Sequence, residues 1–376
     1  MALSGVSPSS VGLDPAGIID FLGAQRRDNL EMHSLVVLRG GQVVAQHWWS
    51  PYSASQLQLV YSFSKTLTSA AVGLAVGDGA FGYQDKLVDL WADELAGTPI
   101  GPKARTTTVA NLLAMASGHP VDLLQRPADF ADPDIRAYLR LVTQEPEGEP
   151  GKTFAYNNLA TYGLSVLVHQ RTGRTVSQLL AERVWPALGV SRYSWTTDAA
   201  GRDLGFSGAH LDTQTMALFI QLIAQGGRWQ GQQLLDPEWI SQVSQVHSVN
   251  LDPTSGPDWR QGYGWQMWRC QHGFRADGAH GQFGLIIPEA DLVVVMTSAL
   301  RDMQASLTNV WEHLLPAADR RPTASDDALQ AALEAEQLLD FPLAERDAGN
   351  LSPASETLRV NEDGVVWGSP SGELVL

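Results

Sequence analysis

Residues 34–48 read SLVVLRGGQVVAQHW, two apolar segments on either side of the pair Gly40-Gly41. Glycines readily adopt the positive φ angles that a two-residue hairpin turn requires. Valine and leucine on both sides of such a turn are typical of paired strands. This stretch therefore predicts two antiparallel strands, over residues 34–39 and 42–48.

Strand patterns return only near the other end of the chain. Aromatic side chains alternate over residues 262–268, and the apolar segments 283–287 and 292–297 flank a turn at 288–291. From about residue 80 to residue 225, helical periodicity dominates instead. Strands from both ends of a chain with helices between them predict an α+β fold: an antiparallel sheet flanked by helices, with an inserted, mainly helical domain.

The length of 376 residues exceeds the size at which one hydrophobic core usually stops growing, so more than one substructure is expected. We predict a discontinuous sheet domain over residues 1–80 and 226–320 and a helical domain over 81–225. Residues 321–376 are expected to form an appendage. Individual helices are predicted over 14–29, 62–77, 109–117, 159–170, 213–225 and 325–339, and a small hairpin over 358–367.

The composition excludes several classes of protein. The formal net charge is −16, with only 25 basic residues, which disfavours nucleic-acid binding because phosphates require clustered cations. No apolar run reaches the roughly 18–20 residues of a membrane span, and no signal peptide is recognisable, so we expect a cytoplasmic protein. Histidine and cysteine spacing indicates neither a metal site nor a cofactor, and Cys270, the one cysteine, cannot form an internal disulfide.

The first candidate catalytic pair is Ser62 and Lys65, at the start of the predicted helix 62–77. Side chains three residues apart share a helix face, so the amine can reach the hydroxyl. A serine hydroxyl becomes nucleophilic when a base removes its proton, and burial can keep a lysine neutral enough to do so. The alternative is an ordinary helix start, with Ser62 as the N-cap and Lys65 in solvent.

A second motif, Tyr156-x-Asn158, lies in a polar segment just before the helix predicted over 159–170. A tyrosine hydroxyl can relay a proton if a neighbouring lysine lowers its pKa, and an asparagine amide can orient a substrate carbonyl. The alternative is a surface turn with a packing tyrosine and a capping asparagine.

A third motif, residues 278–282 (Gly-Ala-His-Gly-Gln), directly precedes an apolar strand. Its glycines allow backbone N–H groups to approach a ligand closely, as an oxyanion donor must. The alternative is a glycine-rich turn that carries a surface histidine, His280.

In their order and spacing, these three motifs resemble those of the penicillin-recognising serine hydrolases, the superfamily of serine β-lactamases and DD-peptidases. The form of residues 278–282 is similar to that in 6-aminohexanoate-dimer hydrolases and β-lactamase-like esterases. Residues 111–119, 262–265 and 288–295 agree with the family as well, and the resemblance covers about residues 10–315.

The resemblance implies a small-molecule hydrolase that works through an acyl-enzyme. Ser62 is expected to attack an ester or amide carbonyl, Lys65 to act as general base, and Tyr156 to relay a proton to the leaving group. The oxyanion hole is expected to combine the N–H of Ser62 with one near Gly281-Gln282. The expected substrate-binding residues are Asn158, His280, Gly281 and Gln282, with His280 lining the site in a role that the family pattern leaves open.

Three readings of the function remain open. The first is cleavage of small esters or amides. The second is β-lactamase or D-amino-acid peptidase activity, which is disfavoured because residues 278–282 lack the lysine of the family's Lys-Thr-Gly motif and hence a cation for a substrate carboxylate. The third is a non-catalytic binding or sensor protein with the same fold. An α/β-hydrolase is disfavoured because the chain has no Gly-x-Ser-x-Gly motif.

Overall fold

This computed structural model describes residues 5–124, 135–337, 358–361 and 364–367. Its α-helices are α1 (Pro15–Arg27), α2 (Ser64–Gly77), α3 (Leu87–Leu90), α4 (Val109–Leu113), α5 (Arg140–Thr143), α6 (Asn158–Thr172), α7 (Val176–Arg183), α8 (Trp185–Leu188), α9 (Thr213–Ala224), α10 (Pro237–Val243), α11 (Met303–Asn309) and α12 (Asp326–Gln337). None of these helices is both long and apolar enough to cross a bilayer.

The strands fall into one large sheet and three small ones. They are β1 (Met32–Arg39), β2 (Gln42–Trp48), β3 (Gln58–Leu59), β4 (Ser194–Trp195), β5 (Ala209–Leu211), β6 (Arg228–Trp229), β7 (Gln232–Gln233), β8 (Trp268–Cys270), β9 (Gly273–Gly278), β10 (Gln282–Ile287), β11 (Leu292–Ser298), β12 (Leu358–Asn361) and β13 (Gly364–Trp367). The large sheet has the order β2-β1-β11-β10-β9-β8.

The large sheet confirms the predicted α+β fold. All of its neighbouring strands are antiparallel, and β1 from one end of the chain pairs with β11 from the other. Gly40 and Gly41 make the β1–β2 turn with φ angles of 57° and 74°, so the predicted hairpin is correct. Because strands from both ends of the chain pair in one sheet, the helical segment between them is an insertion relative to that sheet.

Each face of the sheet has its own apolar core. Side chains alternate along β11: Val293 and Val295 belong to the core that contains α2 and α9, whereas Val294 and Met296 belong to the core that contains α1. Helix α9 contacts β1, β10 and β11. The structure therefore places α9 on the sheet, although the sequence boundary at residue 225 assigned it to the helical domain.

Buried polar side chains hold α2 in the first of these cores. The hydroxyls of Thr66, Thr68 and Ser69 donate to the carbonyl oxygens of Gln266, Gly205 and Trp265, respectively, at 2.8–2.9 Å. Buried hydroxyls need such partners because an unpaired polar group costs about 1–3 kcal/mol. These bonds fix α2, and with it the residues just before it, against two distant loops.

Two predicted elements are shorter than expected. The helix over 109–117 ends at Leu113, because Met115 has a φ of 51° that no helix continues. The strand over 262–268 is reduced to its last residue, where β8 begins, because Gln266 has a φ of 63° and donates its N–H to the Leu113 carbonyl. Both irregular segments lie near the candidate site.

The first helix of the predicted appendage, α12, packs against the sheet domain. Leu329 and Leu333 of α12 are buried in the same core as α1, and Trp49 donates its indole N–H to Glu336 at 3.1 Å. The predicted end of this helix, at residue 339, lies outside the described residues. Strands β12 and β13 pair as an antiparallel hairpin, as expected.

Candidate active site

Ser62 and Lys65 lie together where the chain enters α2. Ser62 belongs to a 3-10 helical turn (Tyr61–Phe63) that leads directly into the helix, so it is not an N-cap residue of α2. Its side chain is partly exposed, whereas Lys65 is 1% exposed. The Lys65 Nζ lies 2.9 Å from the Ser62 Oγ. The alternative of a solvated lysine is therefore wrong.

The surroundings of Lys65 favour its neutral amine. Burial lowers the pKa of Lys65 to about 7, while the carboxylates of Asp122 and Asp277 act in the opposite direction. The amine also donates to the Phe206 carbonyl at 2.9 Å, which orients the nitrogen without placing a full negative charge on it. A lysine with a pKa near neutrality can accept a proton at the pH of the cell.

Tyr156 completes a three-residue cluster. Its hydroxyl shares a hydrogen bond with the Ser62 side chain, and its ring centre lies 4.7 Å from the Lys65 Nζ. Burial raises the pKa of the phenol above its ordinary value. The condition considered from the sequence, a pKa lowered by a neighbouring lysine, is not met: burial dominates, and Tyr156 stays a neutral phenol that both donates and accepts hydrogen bonds.

Backbone contacts place Tyr156 at this point. The irregular turn around Met115 presents its carbonyl to the Ala155 N–H at 3.0 Å. Because Met115 leaves the helical conformation at the end of α4, its carbonyl is free to bond outside the helix. Trp268 stacks on the Tyr156 ring with centroids 5.8 Å apart and planes at 12°.

Asn158, which the sequence predicts to bind substrate, contacts a carboxylate of the protein itself. As the first residue of α6, it donates its amide nitrogen to the Asp122 carboxylate at 2.8 Å. The same carboxylate accepts the N–H groups of Leu124 and Leu159. The direct contacts of Asn158 therefore serve to hold Asp122 beside the cluster, and Asp122 in turn acts on the pKa of Lys65.

Strand β9 brings the third motif to Ser62. It contacts the 3-10 turn of Ser62, and a Cβ atom added to Gly278 would overlap the carbonyl oxygen of Val60. Only glycine allows the end of β9 to approach the nucleophile this closely. The predicted need for glycine at position 278 is thus explained by a backbone contact.

The peptide between Gly278 and Ala279 points an N–H out of the sheet edge. The Gly278 carbonyl accepts the N–H of Gly281, on the side of β10. In a trans peptide the next N–H points the opposite way, so the Ala279 N–H faces the edge that β8 leaves unpaired, beyond its last partner Arg275. This N–H has no acceptor among the described residues.

Gly281 and Gln282 face the other way. The Gly281 N–H is already bonded to Gly278, and the Gln282 amide bonds with the backbone of Ala279 and Ser298. The Gly281 N–H and the Gln282 side-chain amide are therefore engaged within the hairpin. The N–H of Ala279, the first residue after β9, is therefore a further candidate for the oxyanion donor that the sequence predicts near Gly281-Gln282.

His280 lies at the rim of the cluster. Its φ of 64° turns its carbonyl toward β11, where it accepts from the Leu300 N–H and the Ser298 hydroxyl at 2.9 Å. Its ring meets the Tyr61 ring edge-on, with centroids 5.4 Å apart. Since Tyr61 directly precedes Ser62, His280 flanks the nucleophile without contacting it.

Three groups of the site went unpredicted: the Phe206 carbonyl, Asp122 and Asp277. Asp277 is paired with the fully buried Arg275 at 2.7 Å, and its carboxylate also accepts a hydrogen bond from Trp259. Burial raises the pKa of Asp277, an effect that Arg275 and Lys65 oppose. The alternation of β9 placed Arg275 and Asp277 on one face of the strand, a signal that could have suggested the pair.

Known proteins share this fold. The 6-aminohexanoate-dimer hydrolase of Paenarthrobacter ureafaciens is 23% identical over 300 residues, which cover 74% of this chain and 75% of that enzyme. A Bacillus anthracis homologue of such hydrolases has a solved structure that matches with a TM-score of 0.62 at 19% identity, covering 90% of this chain and 89% of that one. The hydrolase EstCE1, described as having promiscuous acyltransferase activity, matches with a TM-score of 0.63 at 16% identity, covering 81% and 99% of the two chains.

The family assignment rests on most of the chain. Residues 24–318 match the sequence profile of the family described as Beta-lactamase. This range includes the large sheet, α2 with Ser62 and Lys65, the Tyr156 segment and the hairpin after β9. The protein therefore belongs to the beta-lactamase family, within the penicillin-recognising serine hydrolase superfamily.

Proposed function

We propose that this protein is a serine hydrolase that cleaves small ester or amide substrates through an acyl-enzyme on Ser62. The observation that carries the proposal is the pairing of the Lys65 Nζ with the Ser62 Oγ at 2.9 Å, by a lysine that is 1% exposed. A buried amine next to a partly exposed hydroxyl is the arrangement that activates a serine without a histidine.

In the acylation step, the neutral amine of Lys65 takes the proton from Ser62 as the Oγ attacks the substrate carbonyl. The negative charge that develops on the carbonyl oxygen accepts hydrogen bonds from the N–H groups of Ser62 and Ala279. Preorganised donors of this kind stabilise the transition state strongly, because they need no reorganisation when charge develops. The proton on Lys65 then passes through the Tyr156 hydroxyl to the leaving group.

Deacylation reverses these roles. A water molecule attacks the ester formed on Ser62, its proton is taken up by Tyr156 and Lys65, and the Ser62 oxygen leaves as a hydroxyl once that proton is returned to it. The neutral phenol of Tyr156 suits this relay, because it accepts one proton while it gives up another. Asp122 and Asp277 stabilise the protonated form of Lys65 between the two transfers.

Two similarities support this proposal. The Paenarthrobacter relative is named as a 6-aminohexanoate-dimer hydrolase, and EstCE1 is described as a hydrolase with promiscuous acyltransferase activity. Penicillins and D-amino-acid peptides usually present a carboxylate. The basic residue of β9 is Arg275, which is fully buried and paired with Asp277. This arrangement favours uncharged esters and amides over β-lactams.

The test is the intact mass of the protein after treatment with a fluorophosphonate and, separately, with a penicillin. We expect one fluorophosphonate adduct on the wild type and on Ser64→Ala, and none on Ser62→Ala. Ser64 is the matched control because it lies in the same motif but accepts the Ala209 N–H instead of facing Lys65. Turnover of p-nitrophenyl acetate should follow the same pattern.

An adduct that persists in Ser62→Ala would overturn the choice of nucleophile. Efficient nitrocefin turnover would favour a β-lactamase, and a stable penicillin adduct without turnover would favour a D-amino-acid peptidase. Absence of both labelling and ester turnover in the folded wild type would favour a non-catalytic binding protein. The β-lactam and ester results therefore distinguish the three functions considered from the sequence, and the Ser62→Ala result tests the nucleophile.

A further inference from the structure

We propose that a cleft beside Tyr156 receives an uncharged alkyl or aryl group of the substrate, next to the scissile bond. The inference rests on the proposed hydrolase function and names the substrate class: esters or amides with an apolar group of several carbon atoms. The cleft has a volume of about 500 Å³. We call it the Tyr156 cleft, and it is lined by Pro120, Val121, Phe154, Ala155, Tyr156, Asn250, Leu251, Asp252, Ser255, Trp259 and Trp268.

The Tyr156 cleft adjoins the reacting groups through the Tyr156 side chain. Tyr156 forms part of its wall, while the hydroxyl of the same side chain is bonded to Ser62 and its ring lies next to the Lys65 amine. A group in the cleft is therefore one side chain away from the nucleophile. This distance fits the part of a substrate directly attached to the ester or amide that Ser62 attacks.

Four aromatic side chains form one part of the cleft wall. Trp268 stacks on Tyr156, and Phe154 packs against Trp268 with ring centroids 5.5 Å apart. Trp259 lines the cleft and bonds to Asp277, so its ring is held in place. Rigid aromatic walls bind alkyl chains and rings well, because little side-chain entropy is lost on contact.

The rim of the cleft carries unusually exposed apolar side chains. Leu251 is 85% exposed and Val121 is 60% exposed. Covering such side chains with an apolar ligand is favourable by roughly 25 cal/mol for each Å² removed from water. The two residues come from different parts of the chain, and both line the cleft.

The polar residues that line the cleft form hydrogen bonds within their own loop. Asn250 donates to the Ser255 hydroxyl at 2.9 Å, and Asp252 accepts the N–H and the hydroxyl of Thr254. These bonds shape the loop that carries Leu251. Asp252 is the only charged lining residue in the described part of the chain, and the whole protein has a net charge of −16. Anionic substrates are therefore disfavoured in the cleft.

The test measures kcat/KM for two series of esters. The first lengthens the acyl chain of p-nitrophenyl esters from acetate to octanoate; the second keeps an acetyl group and lengthens the alcohol. We expect kcat/KM to rise roughly threefold per added methylene, until the cleft is full, in the series whose variable group enters it. The series that responds identifies the side of the scissile bond that occupies the cleft.

Leu251→Ser is the diagnostic variant, with Val246→Ser as its matched control. Val246 is another exposed apolar residue, 52% exposed, that does not line the cleft. We expect Leu251→Ser to lower kcat/KM about fivefold for the longest responsive ester and less than twofold for p-nitrophenyl acetate. Val246→Ser should leave both values within twofold of the wild type.

A third comparison tests charge. In the series that responds, an ester whose variable group ends in a carboxylate should have a kcat/KM at least about tenfold below that of its neutral counterpart; in the acyl series these are the p-nitrophenyl half-ester of glutaric acid and the valerate ester. Equal rates would overturn the exclusion of anions. A flat chain-length dependence in both series, with p-nitrophenyl acetate still hydrolysed by the wild type and not by Ser62→Ala, would overturn the Tyr156 cleft and leave the hydrolase assignment intact. Loss of activity toward every ester would contradict the hydrolase function instead.

Discussion

The amine nitrogen of Lys65 lies 4.7 Å from the centre of the Tyr156 ring. Burial acts on both side chains in the direction that favours their neutral forms: it lowers the pKa of Lys65 to about 7 and raises the pKa of Tyr156. The face of an aromatic ring also stabilises a nearby cation, so the proton that Lys65 accepts has a favourable place to reside. In the proposed reaction, Lys65 therefore changes its charge when it accepts the proton. Tyr156 transfers protons while it remains neutral.

The first prediction concerns pH. Because Lys65 is active as the neutral amine, kcat/KM should rise tenfold per pH unit below about 7, the pKa of Lys65, and level off above it. The measurement is hydrolysis of p-nitrophenyl acetate between about pH 5 and pH 9, corrected for the rate without enzyme. A profile that is flat across neutral pH, or that rises only near the pKa of an ordinary lysine, would contradict the role of Lys65 as the base.

The second prediction concerns Asp122. Its carboxylate raises the pKa of Lys65, so Asp122→Asn should lower that pKa and move the acid limb of the profile to lower pH. The asparagine oxygen can still accept the N–H groups of Leu124 and Leu159, so the loop should keep its shape. Asp93→Asn, at an exposed position, is the control and should leave the midpoint unchanged. A shift to higher pH would mean that Asp122 acts on Lys65 in some other way.

The third prediction concerns the hydroxyl of Tyr156. Tyr156→Phe keeps the ring that contacts Lys65 and Trp268 but removes the atom that bonds to Ser62. We expect kcat to fall by about 10²–10⁴-fold with little change in KM, because a proton relay acts in the transition state. Tyr193→Phe, remote from Ser62, should keep the wild-type kcat. If kcat survives in Tyr156→Phe, another group or water carries the proton.

The fourth prediction concerns the Ala279 N–H. Ala279→Pro removes this donor at the second position of a turn, where proline is common. Loss of an oxyanion donor should lower kcat by about 10²–10³-fold, whereas Ala279→Ser, which keeps the N–H, should stay close to the wild type. Circular dichroism and thermal unfolding check that both variants fold. A folded Ala279→Pro enzyme with wild-type kcat would place the oxyanion hole elsewhere.

Much of the fold was predictable because its signals are local. The Gly40-Gly41 turn and the β10–β11 hairpin follow from residues adjacent in the sequence, and so do α1, α6 and α9. The errors occurred where distant residues impose backbone geometry. Gln266 leaves the strand conformation and bonds to Leu113, more than 150 residues earlier, and no periodicity near residue 266 signals that contact.

The sequence by itself determined that Ser62 and Lys65 lie within reach of each other, because side chains three residues apart at a helix start share one face. Only the tertiary structure decided what that pair can do. The burial that lowers the pKa of Lys65, the bond from Tyr156 to Ser62 and the approach of Gly278 to Val60 all join segments far apart in the chain. These features arise from packing around a common core, and the free energy of burying a charge is set by the whole surroundings rather than by neighbours in sequence.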